Sequence, residues 1–164
     1  MRKQQKPKAR WIAETLFEDE GFRMAYRADR VLYEEKTAHQ DLVLFQNKFF
    51  GKMLMLDGAT QVTARDEFVY HEMMTHVPIL AHGTTQRVLI IGGGDGGILR
   101  EVLRHKSVKK ATMVEIDRGV VDMCLKYMPS IPQKAFNDRR TDLVITDGAK
   151  FAAETDERYD VVIV

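Results

Sequence analysis

Five of the six residues from 92 to 97 are glycine: Gly92-Gly93-Gly94-Asp95-Gly96-Gly97. This loop follows the uninterrupted apolar run Val-Leu-Ile-Ile at 88–91 and opens a helical stretch at 98–105. An apolar run without polar alternation reads as a strand buried on both faces. Glycines between such a strand and a helix let backbone pass close to a ligand, and the helix N-terminus adds amide donors. Gly92, Gly94 and Gly97 satisfy G-x-G-x-x-G. That pattern is weak alone, because a tight strand-to-helix turn also explains it. The residues beyond it strengthen the reading: strands at 111–116, 142–146 and 159–164 alternate with helices at 117–127 and 148–153. Such alternation predicts a parallel sheet with right-handed crossovers.

The chain ahead of residue 63 has a different period. Short, near-alternating apolar runs recur at 41–47, 51–58 and 59–63, and Asp57-Gly58 between two of them is a two-residue hairpin signal. We expect a basic, mobile tail at 1–10, an N-terminal antiparallel β-domain at 11–64, and a Rossmann-like domain at 65–164. After Thr63 the spacing becomes helical, with Val69, Met73, Val77 and Leu80 on one apolar stripe. Thr63 is the expected N-cap, with Asp66 three residues on. Pro78 is expected to end or kink this helix, and His82-Gly83 to close it. Asp-Val-Val-Ile-Val at 160–164 reads as a buried central strand, which predicts an incomplete, N-terminal piece of a longer α/β protein, cut after its fourth strand.

Lys and Arg number 25 against 24 Asp and Glu, a net charge of +1, which carries no general case for nucleic acid or an anionic membrane. No apolar run nears the ~20 residues of a membrane span. The one cysteine, Cys124, cannot form an internal disulfide, and a cytoplasmic setting is expected.

Asp95 changes what the glycine loop predicts. A pyrophosphate would be repelled by a carboxylate there, whereas a sulfonium or an amine would be attracted, so the loop points to an S-adenosyl compound over a nicotinamide dinucleotide. Glu115 ends the second strand eighteen residues beyond Gly97, where a carboxylate accepts both ribose hydroxyls. Asp147-Gly148 ends the third. An acid there accepts a hydrogen bond from an adenine amino group or caps the next helix, and both roles can hold together. Tyr70-His71-Glu72 adds an aromatic, a titratable ring and an acid on the preceding helix. His71 and His76 lie roughly 140° apart around a helix, so they cannot share one zinc ion, and no metal site is expected.

Together these residues make the chain resemble the polyamine aminopropyltransferase family, on its spermidine synthase branch, from Trp11 onward. The signatures are VLYEEKTAHQD at 31–41, MLDGATQVTARDEFVYHEM at 55–73, VLIIGGGDGGILREVLRH at 88–105, VEID at 114–117 and TDGAKF at 146–151. The resemblance implies that decarboxylated S-adenosylmethionine donates an aminopropyl group to putrescine, giving spermidine and methylthioadenosine. It implies that Gln40, Glu115, Asp147 and Gly148 bind the nucleoside, with Gly92 and Gly94 beside it. Asp95 and His71 would hold the amine or aminopropyl end, and Tyr70 would line the amine pocket and assist. The main general base of the family lies in a D-[ST]-x-D-P motif, expected beyond Val164. A homodimer or homotetramer is implied, and no permanently bound cofactor. Two other readings share part of this pattern: an S-adenosylmethionine methyltransferase, and a non-catalytic piece acting in binding or oligomerisation.

Overall fold

The computed structural model describes residues 10–164. The expected basic tail therefore lies, apart from Arg10, outside the described residues. The chain divides into two compact units, the first ending at Arg65 and the second spanning Asp66–Val164.

The first unit is antiparallel. Strands β1 (Arg10–Ala13) and β2 (Ala25–Ala28) form one pair, and β3 (Arg30–Lys36), β4 (Asp41–Asn47), β5 (Gly51–Leu56) and β6 (Ala59–Thr63) form a meander. Asp57 and Gly58 both take positive φ, 48° and 74°, and set the register Leu56 opposite Ala59. That twist matches the twist of the flanking strands, as the Asp-Gly pair predicts. Met53, Leu54 and Met55 are consecutive and all buried, so β5 is covered on both faces. Phe45, Met53 and Met55 pack with Ala28, which ties the β1–β2 pair to the meander.

The second unit runs α1 (Glu67–His82), β7 (Arg87–Ile91), α2 (Gly97–Arg104), β8 (Lys110–Glu115), α3 (Arg118–Tyr127), β9 (Thr141–Ile145), α4 (Gly148–Glu154) and β10 (Val161–Ile163). The sheet order is β10-β7-β8-β9, and every pairing is parallel. The core joins Val88 and Ile90 of β7, Ala111 and Met113 of β8, Val161 and Ile163 of β10, and Ile98, Leu99 and Val102 of α2.

The structure refines the expectations for α1 and corrects those for its start and for β10. Asp66, not Thr63, precedes α1, and its side chain makes no cap hydrogen bond. Thr63 is still paired with Met53 in the meander, so the chain is not free to turn helical there. Pro78 does not end α1, which continues to His82 and closes where Gly83, at φ 82°, donates to the Ile79 carbonyl. Inside a helix proline forfeits the bond its nitrogen would make and crowds the carbonyl four residues back, a cost that α1 carries without breaking. Finally, Val69, Met73, Val77 and Leu80 do share a stripe, but all are exposed, Leu80 to 69%. The buried face of α1 carries His71, Thr75 and Ile79, spaced four apart. Likewise β10 is an edge strand among the described residues: Val161 and Ile163 are buried, while Val162 between them is 53% exposed.

Candidate active site

The sheet order puts β7 between β10 and β8, so the chain leaves β7 where the strand order reverses. In open α/β sheets ligands bind in the crevice at that point, beyond the carboxyl ends of the strands. The glycine loop after β7 lies there. Its glycines do separate things. Gly92 takes φ 82°, and a β-carbon on it would meet no atom within 4 Å, so its surroundings are open. A β-carbon on Gly94 would come 2.8 Å from Val120 and 3.0 Å from Glu115 Oε2, so this position has to be bare for α3 and Glu115 to approach. A β-carbon on Gly97 would overlap the His71 ring itself.

Asp95 is held from behind. Its Oδ1 accepts the backbone N–H of Gly97 at 2.6 Å and faces His71 Nε2 at 3.3 Å, while Oδ2 has no hydrogen-bond partner among the described residues. Glu115 is 6% exposed, and its Oε1 accepts the backbone N–H of Asp117 at 2.9 Å. Burial pushes the Glu115 carboxyl above its ordinary range, against the pull of the N–H groups of Asp117, Gly94 and Ile116. Asp147 is exposed and caps α4, accepting the Lys150 N–H at 2.8 Å. A β-carbon on Gly148 would overlap Ile91, so a glycine is what lets the start of α4 close on the end of β7. Ile91 pairs with Val114, and Glu115 with Ile145, so Asp95, Glu115 and Asp147 stand on or just after three adjacent strands. With strands ~4.8 Å apart, these strand ends span roughly 10 Å.

His71 is buried, and Tyr70 beside it is 54% exposed, its ring edge-on to the imidazole with centroids 5.6 Å apart. Gln40 belongs to the first unit, in the turn joining β3 to β4, where its backbone N–H is accepted by Thr37 Oγ1 at 3.1 Å. His76 is turned to another neighbourhood, with Nδ1 2.8 Å from His105 Nε2 and Nε2 3.2 Å from Glu101. Cys124 is fully buried, and burial first, then the charges of Asp95 and Glu115, push its thiol far above the ordinary range. Burial of this kind disfavours the thiolate, the form that reacts.

The residues behind Asp95 were not legible in advance. Glu67 Oε2 lies 2.5 Å from His71 Nδ1, and Arg100 spans both Glu67 oxygens at 3.0 Å each. The same guanidinium reaches Glu101 at 2.7 Å and the Ile131 carbonyl at 2.8 Å. Glu67 sits four residues ahead of His71, a spacing that signals a helix-face pair. Nothing in the sequence points Arg100 at Glu67 across 33 positions.

A parallel sheet of this order, with a glycine loop after its first strand and acids at three successive strand ends, defines a Rossmann-like domain of the class I methyltransferase type. Residues 67–164 match the spermine/spermidine synthase domain, and residues 10–64 match the spermidine synthase tetramerisation domain. The chain belongs to the spermine/spermidine synthase family. It is 57% identical over 150 residues to polyamine aminopropyltransferase 1 of Pseudomonas aeruginosa, covering 92% of this chain and 52% of that protein. It is 56% identical over 142 residues to the polyamine aminopropyltransferase of Serratia proteamaculans, covering 87% and 50%. The crystal structure of spermidine synthase from Thermotoga maritima superposes with a TM-score of 0.90 at 38% identity, over 99% of this chain and 56% of that one. A crystal structure of spermidine synthase in complex with the transition state analogue AdoDATO matches equally well. The chain thus spans about half the length of the curated relatives it matches.

Proposed function

We propose that this protein takes part in aminopropyl transfer from decarboxylated S-adenosylmethionine to putrescine, yielding spermidine and methylthioadenosine. The observation that carries the reading is Asp95. One of its oxygens is pinned by Gly97 and His71, and the other has no hydrogen-bond partner among the described residues. A fixed carboxylate with one open oxygen suits an ammonium. The decarboxylated donor presents an ammonium there, whereas ordinary S-adenosylmethionine would add a carboxylate and meet like charge, so one residue attracts the right donor and repels the wrong one.

In this reading Glu115 accepts the ribose hydroxyls, and Asp147 and Gly148 border the adenine. Gln40 is assigned to the same nucleoside and Tyr70 to the acceptor chain. Gly92 offers open space beside the ligand. The acceptor nitrogen attacks the methylene next to the sulfonium, the carbon–sulfur bond breaks, and its electron pair leaves on methylthioadenosine. The acceptor is a dication at neutral pH and has to lose a proton from that nitrogen first. By the family resemblance the acid that takes it follows Val164, with Tyr70 assisting. The tetramerisation-domain match at 10–64 supports a homo-oligomer, dimer or tetramer. A cytoplasmic location belongs to the same proposal and is supported by Cys124 as the single cysteine.

Calorimetry with decarboxylated and ordinary S-adenosylmethionine, and a turnover assay following methylthioadenosine release, test the reading. Tighter binding of the decarboxylated donor is expected. Equal or tighter binding of the ordinary form overturns it and favours a methyltransferase.

A further inference from the structure

Asp95 is one end of a chain of alternating charge that lies wholly within the second unit. From Asp95 it passes to His71 at 3.3 Å, to Glu67 at 2.5 Å, to Arg100 at 3.0 Å, to Glu101 at 2.7 Å, and to Arg104 at 2.8 Å. Four elements contribute: α1 gives His71 and Glu67, the glycine loop gives Asp95, α2 gives Arg100, Glu101 and Arg104, and the segment after α3 gives the Ile131 carbonyl. His71 and Glu101 are each about 2% exposed at the side chain, and Arg100 and Glu67 only 11% and 14%.

We infer that Glu67 and Arg100 are positioning residues for Asp95, locking His71 as a cationic bridge whose Nε2–H fixes the Asp95 carboxylate with its free oxygen outward. Three geometric facts converge on it. Both ring nitrogens of His71 face carboxylate oxygens, and only an imidazolium has a proton to donate to each. Gly97 has no β-carbon, and one would overlap the ring, so the backbone at the start of α2 packs directly against the imidazole. Arg100 grips Glu67 through both oxygens, the geometry that fixes a carboxylate's plane as well as its charge. Buried charge is costly unless paired, and each buried group here has a partner of opposite sign.

The groups facing His71 are Glu67 from its own helix, Asp95 from the loop and, behind Glu67, Arg100 with Glu101. Burial alone would lower the His71 basicity, and the two carboxylates overcome it, raising the imidazole above its ordinary value. Glu67 is held below the usual carboxylate range, because Arg100 and His71 outweigh its burial.

This inference rests on the reading that Asp95 grips the donor's ammonium, and its test separates the two. In the unaltered full chain, imidazole NMR should show His71 still doubly protonated at pH 7. A ring that titrates at or below 6.5 overturns the bridge, with no variant needed. Donor preference is read as the ratio of affinities for decarboxylated S-adenosylmethionine, a cation, and methylthioadenosine, which lacks the aminopropyl ammonium. In Glu67→Gln this ratio should fall about tenfold or more, the scale of a charged hydrogen bond. Binding of methylthioadenosine itself should stay unchanged, and the ratio should decline further as pH rises past the histidine's ordinary value. Arg100→Lys keeps the charge without the two-point grip and should give a smaller loss in the same direction. A ratio unmoved in folded variants overturns the positioning role. A ratio near one in the unaltered protein overturns the Asp95 reading itself.

Discussion

Gly97 and His71 occupy one space: a β-carbon built on the glycine would overlap the imidazole ring. The third glycine of G-x-G-x-x-G therefore serves a histidine from another helix, while Gly92 faces open space. The two glycines should respond differently to the same substitution.

Gly97→Ala should destabilise the protein by about 1–3 kcal/mol, the cost of forcing extra volume into a packed site. It should also displace the His71 imidazole NMR signals. Gly92→Ala should cost about 1–2 kcal/mol through its left-handed backbone alone and leave those signals in place. Urea unfolding and the His71 resonances check both. An unshifted His71 in Gly97→Ala contradicts the packing described.

The two faces of α1 should separate as cleanly. Ile79 is 3% exposed, and Ile79→Ala should cost about 2–5 kcal/mol in urea unfolding. Leu80→Ser and Met73→Ser, on the exposed apolar stripe, should each stay within about 0.5 kcal/mol.

That stripe marks the limit of what was legible. Periodicity located the helix and its apolar side, and the Asp57-Gly58 pair located a hairpin down to its register. Neither says which side of a helix meets the sheet. The α1 face that does so carries His71, Thr75 and Ile79: Ile79 joins the apolar core, while His71 is tied through Glu67 to a charge network anchored on Arg100. Periodicity rewards apolar residues and is blind to a polar face whose partner lies 33 residues away on a second helix. Asp95, Glu115 and Asp147 were legible because the place of a residue at a strand end depends only on the local order of strand, loop and helix.

Glu115 gives a binding prediction. If it receives the ribose hydroxyls, Glu115→Gln should weaken methylthioadenosine binding by about 1.5–3 kcal/mol. Calorimetry on the folded variant decides it, and unchanged affinity removes the ribose role.

Asp95→Asn should shrink the preference for decarboxylated over ordinary S-adenosylmethionine, since one charge fewer both repels the carboxylate less and attracts the ammonium less. The ratio of the two dissociation constants is the readout. A ratio that does not move places selectivity elsewhere.

Stability should depend on pH in a defined sense. His71 is raised in the folded state, so its contribution is complete below about 6.5 and is lost as pH rises through the folded value. Glu67 is lowered, so its contribution is complete above about 4.5 and is lost as pH falls through the folded value. Glu115, raised by burial, begins to lose stability once pH passes its ordinary value of about 4.5, so stability should tilt downward across the interval from there to about 6.5. Urea midpoints should therefore peak between about 4.5 and 6.5. His71→Gln should flatten the alkaline limb, and an unchanged limb in that variant contradicts the assignment.

Strand order also fixes a schedule. Among the described strands of its sheet β7 is the first to be synthesised, and one of its two neighbours there, β10, is the latest, with the Asp160 carboxylate reaching back 73 residues to the Arg87 N–H. At ribosomal rates of roughly 5–20 residues per second, one edge of β7 waits on the order of 4–15 s for its partner. Through that interval β8 and β9 can pair on the other side while an apolar strand edge stays open, the kind of surface on which chains misassociate. The window in which a nascent chain most needs shielding is then a property of topology, and strengthening the finished sheet would not shorten it.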